Sequence, residues 1–404
     1  MIALRDIQEA KKRIKGGIYY SPCPESIQLS EIAGARVFCK FDNLQRTGSF
    51  KERGARNALL MLPKPACANG VVAASAGNHA LGLAYHGKLL GIPVTVVMPE
   101  SAPLIKITTC QRLGATVVVG GRDFAEARHK ADLLVAERSL TYINGYDDWQ
   151  IIAGQGTMGL EILDQVPELD AIIVPVGGGG LIAGVALAIK SLRPSVHVIG
   201  VEAENTASFR AAMEAGKPVP IEMKPTLADG LAVPMVGSNA FSIARDLIDD
   251  LILVSEDEIA LAILRILELE KGVVEGSAAS TLAVLLAGKA PALAGKKVVL
   301  PFCGGNIDPM ILNRVTERGL VADGRLSRFS AVISDRPGGL AELTRVIASV
   351  GAGIKEIAHD RTFSDAEVSA VQVICTIETR DRAHIEDLYG ALRAVHVEPK
   401  EFGH

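Results

Sequence analysis

At 404 residues the chain is long enough for two or three domains and a large buried core. Its 49% apolar content, with 4% aromatics and 40 glycines, suits an α/β enzyme in which helices pack closely on parallel strands. A formal net charge of −4 offers no basic stripe, which argues against nucleic acid and leaves small molecules and copies of the same chain as partners.

The N-terminal stretch "MIALRDIQEAKKRIKGG" places Ile2, Leu4, Ile7 and Ile14 on one face of an amphipathic helix and lacks the apolar block of an export signal. Six cysteines (Cys23, Cys39, Cys67, Cys110, Cys303, Cys375) are scattered without a C-x-x-C pair or a His cluster. They read as reduced thiols, so a cytoplasmic location is expected and no metal site. Next comes "GSFKERGA", Gly48 to Ala55, a loop feeding a helix whose small face (Gly54, Ala55, Ala58) predicts close packing. Lys51 stands at its entry. A lysine is ordinarily a solvated surface residue, so only its neighbours can give it another role.

Strand-like runs then recur at 70–75, 93–99, 115–121, 171–176, 197–203 and 297–305, each followed by Gly or a small polar residue and a helical pattern. That alternation predicts right-handed β-α-β units in parallel sheets, with ligands beyond the carboxyl ends of the strands. The uncharged stretch from Ala171 to Ile189 is too interrupted by Pro175 and four consecutive glycines to span a membrane; strand, loop and helix account for all of it. Helices are expected over 256–270, over 277–287 and up to about Arg318. The polar, Gly-containing stretch 319–327 reads as a linker. From Arg328 the periodicities give β-α-β-β-α-β, a ferredoxin-like module, with Val371, Val373, Cys375 and Ile377 on one strand face.

Three loops carry the chemistry. "VGGGGL" (176–181) closes a buried strand and opens a helix, so the N–H groups of Gly177, Gly178, Gly179 and Gly180 converge where a phosphate would sit. It lacks the Lys-Ser/Thr of a P-loop and the spacing of a dinucleotide fingerprint. "SAGNHALG" (75–82) presents a hydroxyl, backbone donors and a carboxamide at a helix entry, a set suited to a carboxylate. "PFCGGNID" (301–308) puts Cys303 at a strand end.

Together with "KFDNLQRTGSFKERGA" (40–55), these loops resemble, in order and over roughly residues 15–320, the fold-type II pyridoxal-phosphate enzymes of the threonine/serine dehydratase branch. The resemblance implies a tryptophan synthase β-like α/β fold with two parallel-sheet subdomains: a catalytic domain over 1–318, its smaller subdomain about 45–150 inserted in the larger one. The stretch "SDRPGGLAELTRVIASVGAGI" (334–354) resembles an ACT domain, here 328–404, so the layout is similar to ACT-containing threonine ammonia-lyases. Lys51 then matches the catalytic lysine that carries pyridoxal 5'-phosphate, and Phe50 a residue packed on the cofactor ring. Gly177 to Gly180 would hold the phosphate, Asn78 the ring 3-hydroxyl and Cys303 the ring nitrogen. Ser75, Gly77 and His79 would line the site of the substrate carboxylate. The implied reaction is β-elimination from L-threonine to 2-oxobutanoate and ammonia, and from L-serine to pyruvate.

Departures bear on substrate choice: Leu81 stands for a common Gln, Asp42 for a Glu, and "VVEGSAA" (273–279) for a Pro-containing version. The alternatives are a serine racemase or a 3-hydroxyaspartate dehydratase of the same fold, or a non-catalytic ACT-bearing amino-acid sensor. Serine racemases use a serine at the position of Ala76, and an alanine cannot transfer a proton. Relatives that bind Mg²⁺ use two carboxylates; Glu202 and the Thr206 carbonyl match, but Ser208 replaces the second carboxylate, which leaves at most a monovalent ion. An amino-acid effector at the turn "RPGG" (336–339) and a homodimer or homotetramer complete the expectations.

Overall fold

In the computed structural model, which describes residues 2–361 and 369–402, the β-branched runs form two parallel sheets within one unit, residues 1–308. Strands β1 (Arg36–Lys40), β2 (Val71–Ala74), β3 (Val94–Met98), β4 (Thr116–Val119), β5 (Thr141–Tyr142), β6 (Ala171–Pro175), β7 (His197–Ala203), β8 (Asp250–Val254) and β9 (Lys297–Pro301) follow in chain order. The larger sheet runs β1-β9-β6-β7-β8 and the smaller one β4-β3-β2-β5. The smaller sheet is contributed by residues within the expected 45–150 insertion. Strands β6 and β9 are buried on both faces, which is why they read as unbroken apolar runs rather than alternating ones.

Small residues decide how the helices meet. The helices Trp149–Gln165 and Gly180–Leu192 touch through Gly156 and Gly184, where a Cβ on Gly156 would lie 2.7 Å from the Gly184 carbonyl oxygen. The Lys51–Leu60 helix is equally close to the first of these: a Cβ on Gly154 would lie 2.6 Å from the Arg53 carbonyl oxygen. Such contacts bring backbones together without voids.

Arg53 fastens the Lys51 helix to the turn after β1 and to the helix Trp149–Gln165. It donates to Asp42 through Nε (2.6 Å) and Nη2 (2.8 Å), and to Glu161 through Nη1 and Nη2 (2.7 Å each). Lys40 Nζ adds a 2.7 Å bond to Glu161 and another to the Ser21 carbonyl. Two cations and two carboxylates thus balance inside the core, all four buried.

The second unit, residues 309–404, opens with the helix Pro309–Ala322 and continues as β10 (Leu326–Ser334), a helix Gly339–Ser349, β11 (Gly353–Asp360), β12 (Ala370–Glu378), a helix Arg382–Ala394 and β13 (Lys400–Glu401). Its sheet is antiparallel, ordered β11-β12-β10-β13, as the ferredoxin-like reading requires. The expected strand face is confirmed: Val371, Val373, Cys375 and Ile377 are all buried under the helices. The expected linker 319–327 is a correction. It is the end of a helix, a turn at Gly324 (φ +73°) and the start of β10, with Arg325 N–H bonded to the Leu320 carbonyl. Polar composition misled there, because Val315 and Gly319 are buried while the rest of that helix is largely wet.

Arg53→Ala leaves Asp42 and Glu161 buried without their main counter-charge. Urea unfolding of that variant is expected to show a loss of about 3–5 kcal/mol.

Candidate active site

The entry to the Lys51 helix is fixed by a loop from the far end of the unit. Phe50 N–H donates to the Cys303 carbonyl and Gly305 N–H to the Gly48 carbonyl, both at 2.9 Å, and Ser49 bridges Gly304. This pairing sets Cys303, at the end of β9, beside Lys51. Glu52, the next residue, is fully buried and accepts from the Thr47 N–H and from His86 Nε2. Lys51 Nζ donates to the Gly145 carbonyl at 2.8 Å and lies 5.1 Å from the Phe50 ring centre. Burial lowers its pKa to about 8, against the opposing pull of Cys303 and Glu275.

All the residues singled out by sequence line one cavity of about 290 Å³: Phe50, Lys51, Ser75, Gly77, Asn78, His79, Gly177 to Gly180 and Cys303. Gly177 to Gly180 are buried, yet among the described residues no hydrogen bond runs from their amides to another protein group. Buried donors without acceptors are costly, so four in one loop mark an anion site, completed by the N-terminus of the Gly180–Leu192 helix. The loop tolerates no side chains: a Cβ on Gly178 would strike the Tyr146 ring, and one on Gly180 would lie 2.9 Å from Tyr146 Cα.

Asn78 opens the helix Asn78–Leu90 and donates to both oxygens of Glu275, at 2.9 and 3.0 Å. Its Oδ1 accepts from Asn306 Nδ2 at 2.9 Å. His79 is buried with Nε2 3.0 Å from the Ile143 carbonyl, and desolvation lowers its pKa to about 3, so it lines the cavity as a neutral ring. Burial pushes the Cys303 thiol well above its ordinary value and keeps it neutral too. Away from the cavity, both Glu202 oxygens are taken by the amides of Phe209 and Arg210, at 2.7 and 2.9 Å.

Sequence reasoning missed Glu275, Tyr146 and Asn306. Glu275 stood in a quoted stretch and Asn306 in a quoted motif, each without a role. Tyr146 carried no signal, since its place under the glycine loop follows only from tertiary packing.

A family model described as pyridoxal-phosphate-dependent enzymes matches residues 14–304. The chain belongs to this family. Along its length the enzyme is 42% identical to L-threonine ammonia-lyase of Thermotoga maritima over 394 residues, 98% of each chain. Among solved structures, the processed form of threonine deaminase isoform 2 from Solanum lycopersicum matches with a TM-score of 0.74 and 36% identity, covering 78% of this chain and 92% of that one. Serine racemase from Dictyostelium discoideum matches with a TM-score of 0.72 and 39% identity, covering 76% and 99%. The enzyme's site fits pyridoxal phosphate on its own chemistry: unpaired buried amides for a phosphate, an amine of lowered basicity for an aldehyde and a neutral thiol for a pyridine nitrogen.

Gly180→Ala is expected to displace the Tyr146 backbone and weaken pyridoxal-phosphate binding. Equilibrium titration of the apo protein with the cofactor, read by absorbance, checks this; Gly390→Ala, inside the helix Arg382–Ala394 where a Cβ meets nothing within 4 Å, is the control for glycine loss alone.

Proposed function

We propose that the enzyme is a threonine ammonia-lyase, converting L-threonine to 2-oxobutanoate and ammonia, with L-serine going to pyruvate. The observation that carries this reading is the placement of Lys51 Nζ in a cavity walled by the unpaired glycine amides on one side and the Ser75–His79 loop on the other. The name of the Thermotoga maritima relative, which matches over nearly the whole chain, supports the substrate.

Pyridoxal phosphate, when bound, supplies an aldehyde for an amine and a ring that draws charge from the α-carbon. Lys51 is the residue that would hold it, and as a free amine would take the α-proton of a bound amino acid; a pKa of about 8 leaves part of the amine neutral near pH 7. Ser75, Gly77 and the N-terminus of the Asn78–Leu90 helix orient the substrate carboxylate. Phe50 shields the amine from water, Asn78 would present a donor to the ring 3-oxygen, and neutral Cys303 would meet the ring nitrogen without a full charge. The proton taken by Lys51 is available to the departing hydroxyl, so one group serves both proton transfers of the elimination. Threonine and serine differ by one methyl, a difference worth about 1–3 kcal/mol in a fitted pocket, so both are accepted. Ala76 brings no proton donor to the cavity, and racemisation is not supported.

The six cysteines are all free, in keeping with a cytoplasmic location. No helix among the described residues is long and apolar enough to cross a membrane. For the C-terminal unit we propose an ACT-type role, an amino-acid effector at the Arg336–Gly339 turn within a homodimer or homotetramer.

Release of 2-oxo acid from L-threonine, L-serine and 3-hydroxyaspartate tests the reading. Fast 2-oxobutanoate formation is expected, abolished in Lys51→Ala; absence of any oxo acid from cofactor-loaded protein overturns it. A second measurement tests the amine. Capture of pyridoxal phosphate by apo protein is expected to accelerate about tenfold per pH unit below the Lys51 pKa and to level off above about 8, because only the neutral amine attacks.

A further inference from the structure

A carboxamide has two donor hydrogens and an acceptor oxygen. Asn78 Nδ2 lies 2.9 and 3.0 Å from the two oxygens of Glu275. Those oxygens share one carboxyl group, so a single N–H pointing between them serves both, and the second N–H of Asn78 stays uncommitted. On its other side Oδ1 accepts from Asn306 Nδ2, which is also tied to the Thr47 carbonyl at 2.7 Å. A carboxylate cannot donate to Oδ1 and the Asn306 amide hydrogen cannot bond an NH₂ group, so the two neighbours permit one orientation of the Asn78 amide and forbid its flip.

Glu275 is itself held. It is buried, accepts from Ser277 Oγ at 2.7 Å, and its own N–H donates to the Gly304 carbonyl at 3.0 Å. A Cβ on Gly304 would lie 3.0 Å from Oε2, so the glycine makes the slot for the carboxyl group. Asp229 and Lys106 act on it with opposite sign, and Glu275 in turn acts on Lys51.

We propose that Glu275 is a positioning residue for the elimination: with Asn306 it locks the Asn78 carboxamide so that its free N–H faces the cavity and the oxygen on the cofactor ring. This rests on the reading of Lys51 and Asn78 given under the proposed function. Alanine at 275 removes the acceptor, glutamine keeps one acceptor oxygen, and aspartate at 306 replaces the donor to Oδ1 with a group that repels it.

The test is a pH titration of the bound cofactor's absorbance in the holoenzyme, with kcat and KM for L-threonine, for wild type, Asn78→Ala, Glu275→Ala, Glu275→Gln and Asn306→Asp. Glu275→Ala and Asn306→Asp are expected to move the spectral midpoint in the same direction as Asn78→Ala. They should also lower kcat roughly ten- to a hundredfold while KM stays within about threefold. Glu275→Gln should fall between them and wild type. If Glu275→Ala does not fold, Asn306→Asp and Glu275→Gln make the same comparison. Should Asn78→Ala move the midpoint while the Glu275 and Asn306 variants do not, the positioning role is overturned and the Asn78 assignment stands. A midpoint that Asn78→Ala leaves in place removes that assignment, and the proposal with it.

Discussion

An amine that must be neutral to react has to be taken out of water, and an amine taken out of water has to be held by something other than water. That constraint organises the unit around Lys51. Its helix begins where the Gly48–Phe50 loop is hydrogen-bonded to the Cys303–Gly305 loop, so residues far apart in sequence, such as Phe50 and Cys303, are fixed to each other by backbone bonds rather than by adjustable side chains. One turn along, Arg53 ties the same helix to Asp42 and Glu161 through four charge-assisted bonds. The lysine is therefore fixed at its base, with its tip held by the Gly145 carbonyl, so its aim is set by the backbone around it.

The cavity around it is weakly charged. Cys303 is held neutral by burial, as is His79, and the Glu275 carboxylate, though burial pushes its pKa upward, is met by donors from Asn78 and Ser277. Attraction for an anion comes from backbone amides instead, in the glycine loop and at the entry of the Asn78–Leu90 helix. Fixed dipoles of this kind need not reorganise when charge moves, and they do not titrate, so they hold a phosphate and a carboxylate over a wide pH range. A lysine or arginine in either place would have raised the electrostatic cost of a cationic Lys51 and competed with it for the same partners.

Much of this was legible beforehand because the signals were local. Runs such as 171–176 are apolar and β-branched over their whole length and became strands within a residue or two of the expected ends. The glycine loop, the Ser75–Gly82 loop and Cys303 each announced themselves by position after a strand. What escaped was set by tertiary context. Strand β8 follows a short, mixed run, Asp250–Val254, and β5 is two residues long; both are strands because β7 and β2 offer them an edge. The helix Pro309–Ala322 extends past its expected end because two buried positions suffice to anchor it. Tyr146, Glu275 and Asn306 matter through what they touch, and touching is not a property of a motif.

That difference separates reaction from substrate. On the proposed reading, the groups read from motifs perform steps common to any amino acid bound in this way: they would hold a phosphate, present an amine and meet a ring. The rest of the cavity wall includes Phe124, Arg128, Tyr142 and Asp229, none of which lies in a motif. Arg128 stacks on Tyr142 with its guanidinium carbon 3.6 Å from the ring centre and is also paired with Asp132, so its charge is partly spent within the protein rather than offered to a ligand. An arginine occupied in this way is less available to a second carboxylate on a substrate. Substrate preference in this enzyme is thus a matter of how the rim is already satisfied, while the chemistry is a matter of how Lys51 is left unsatisfied.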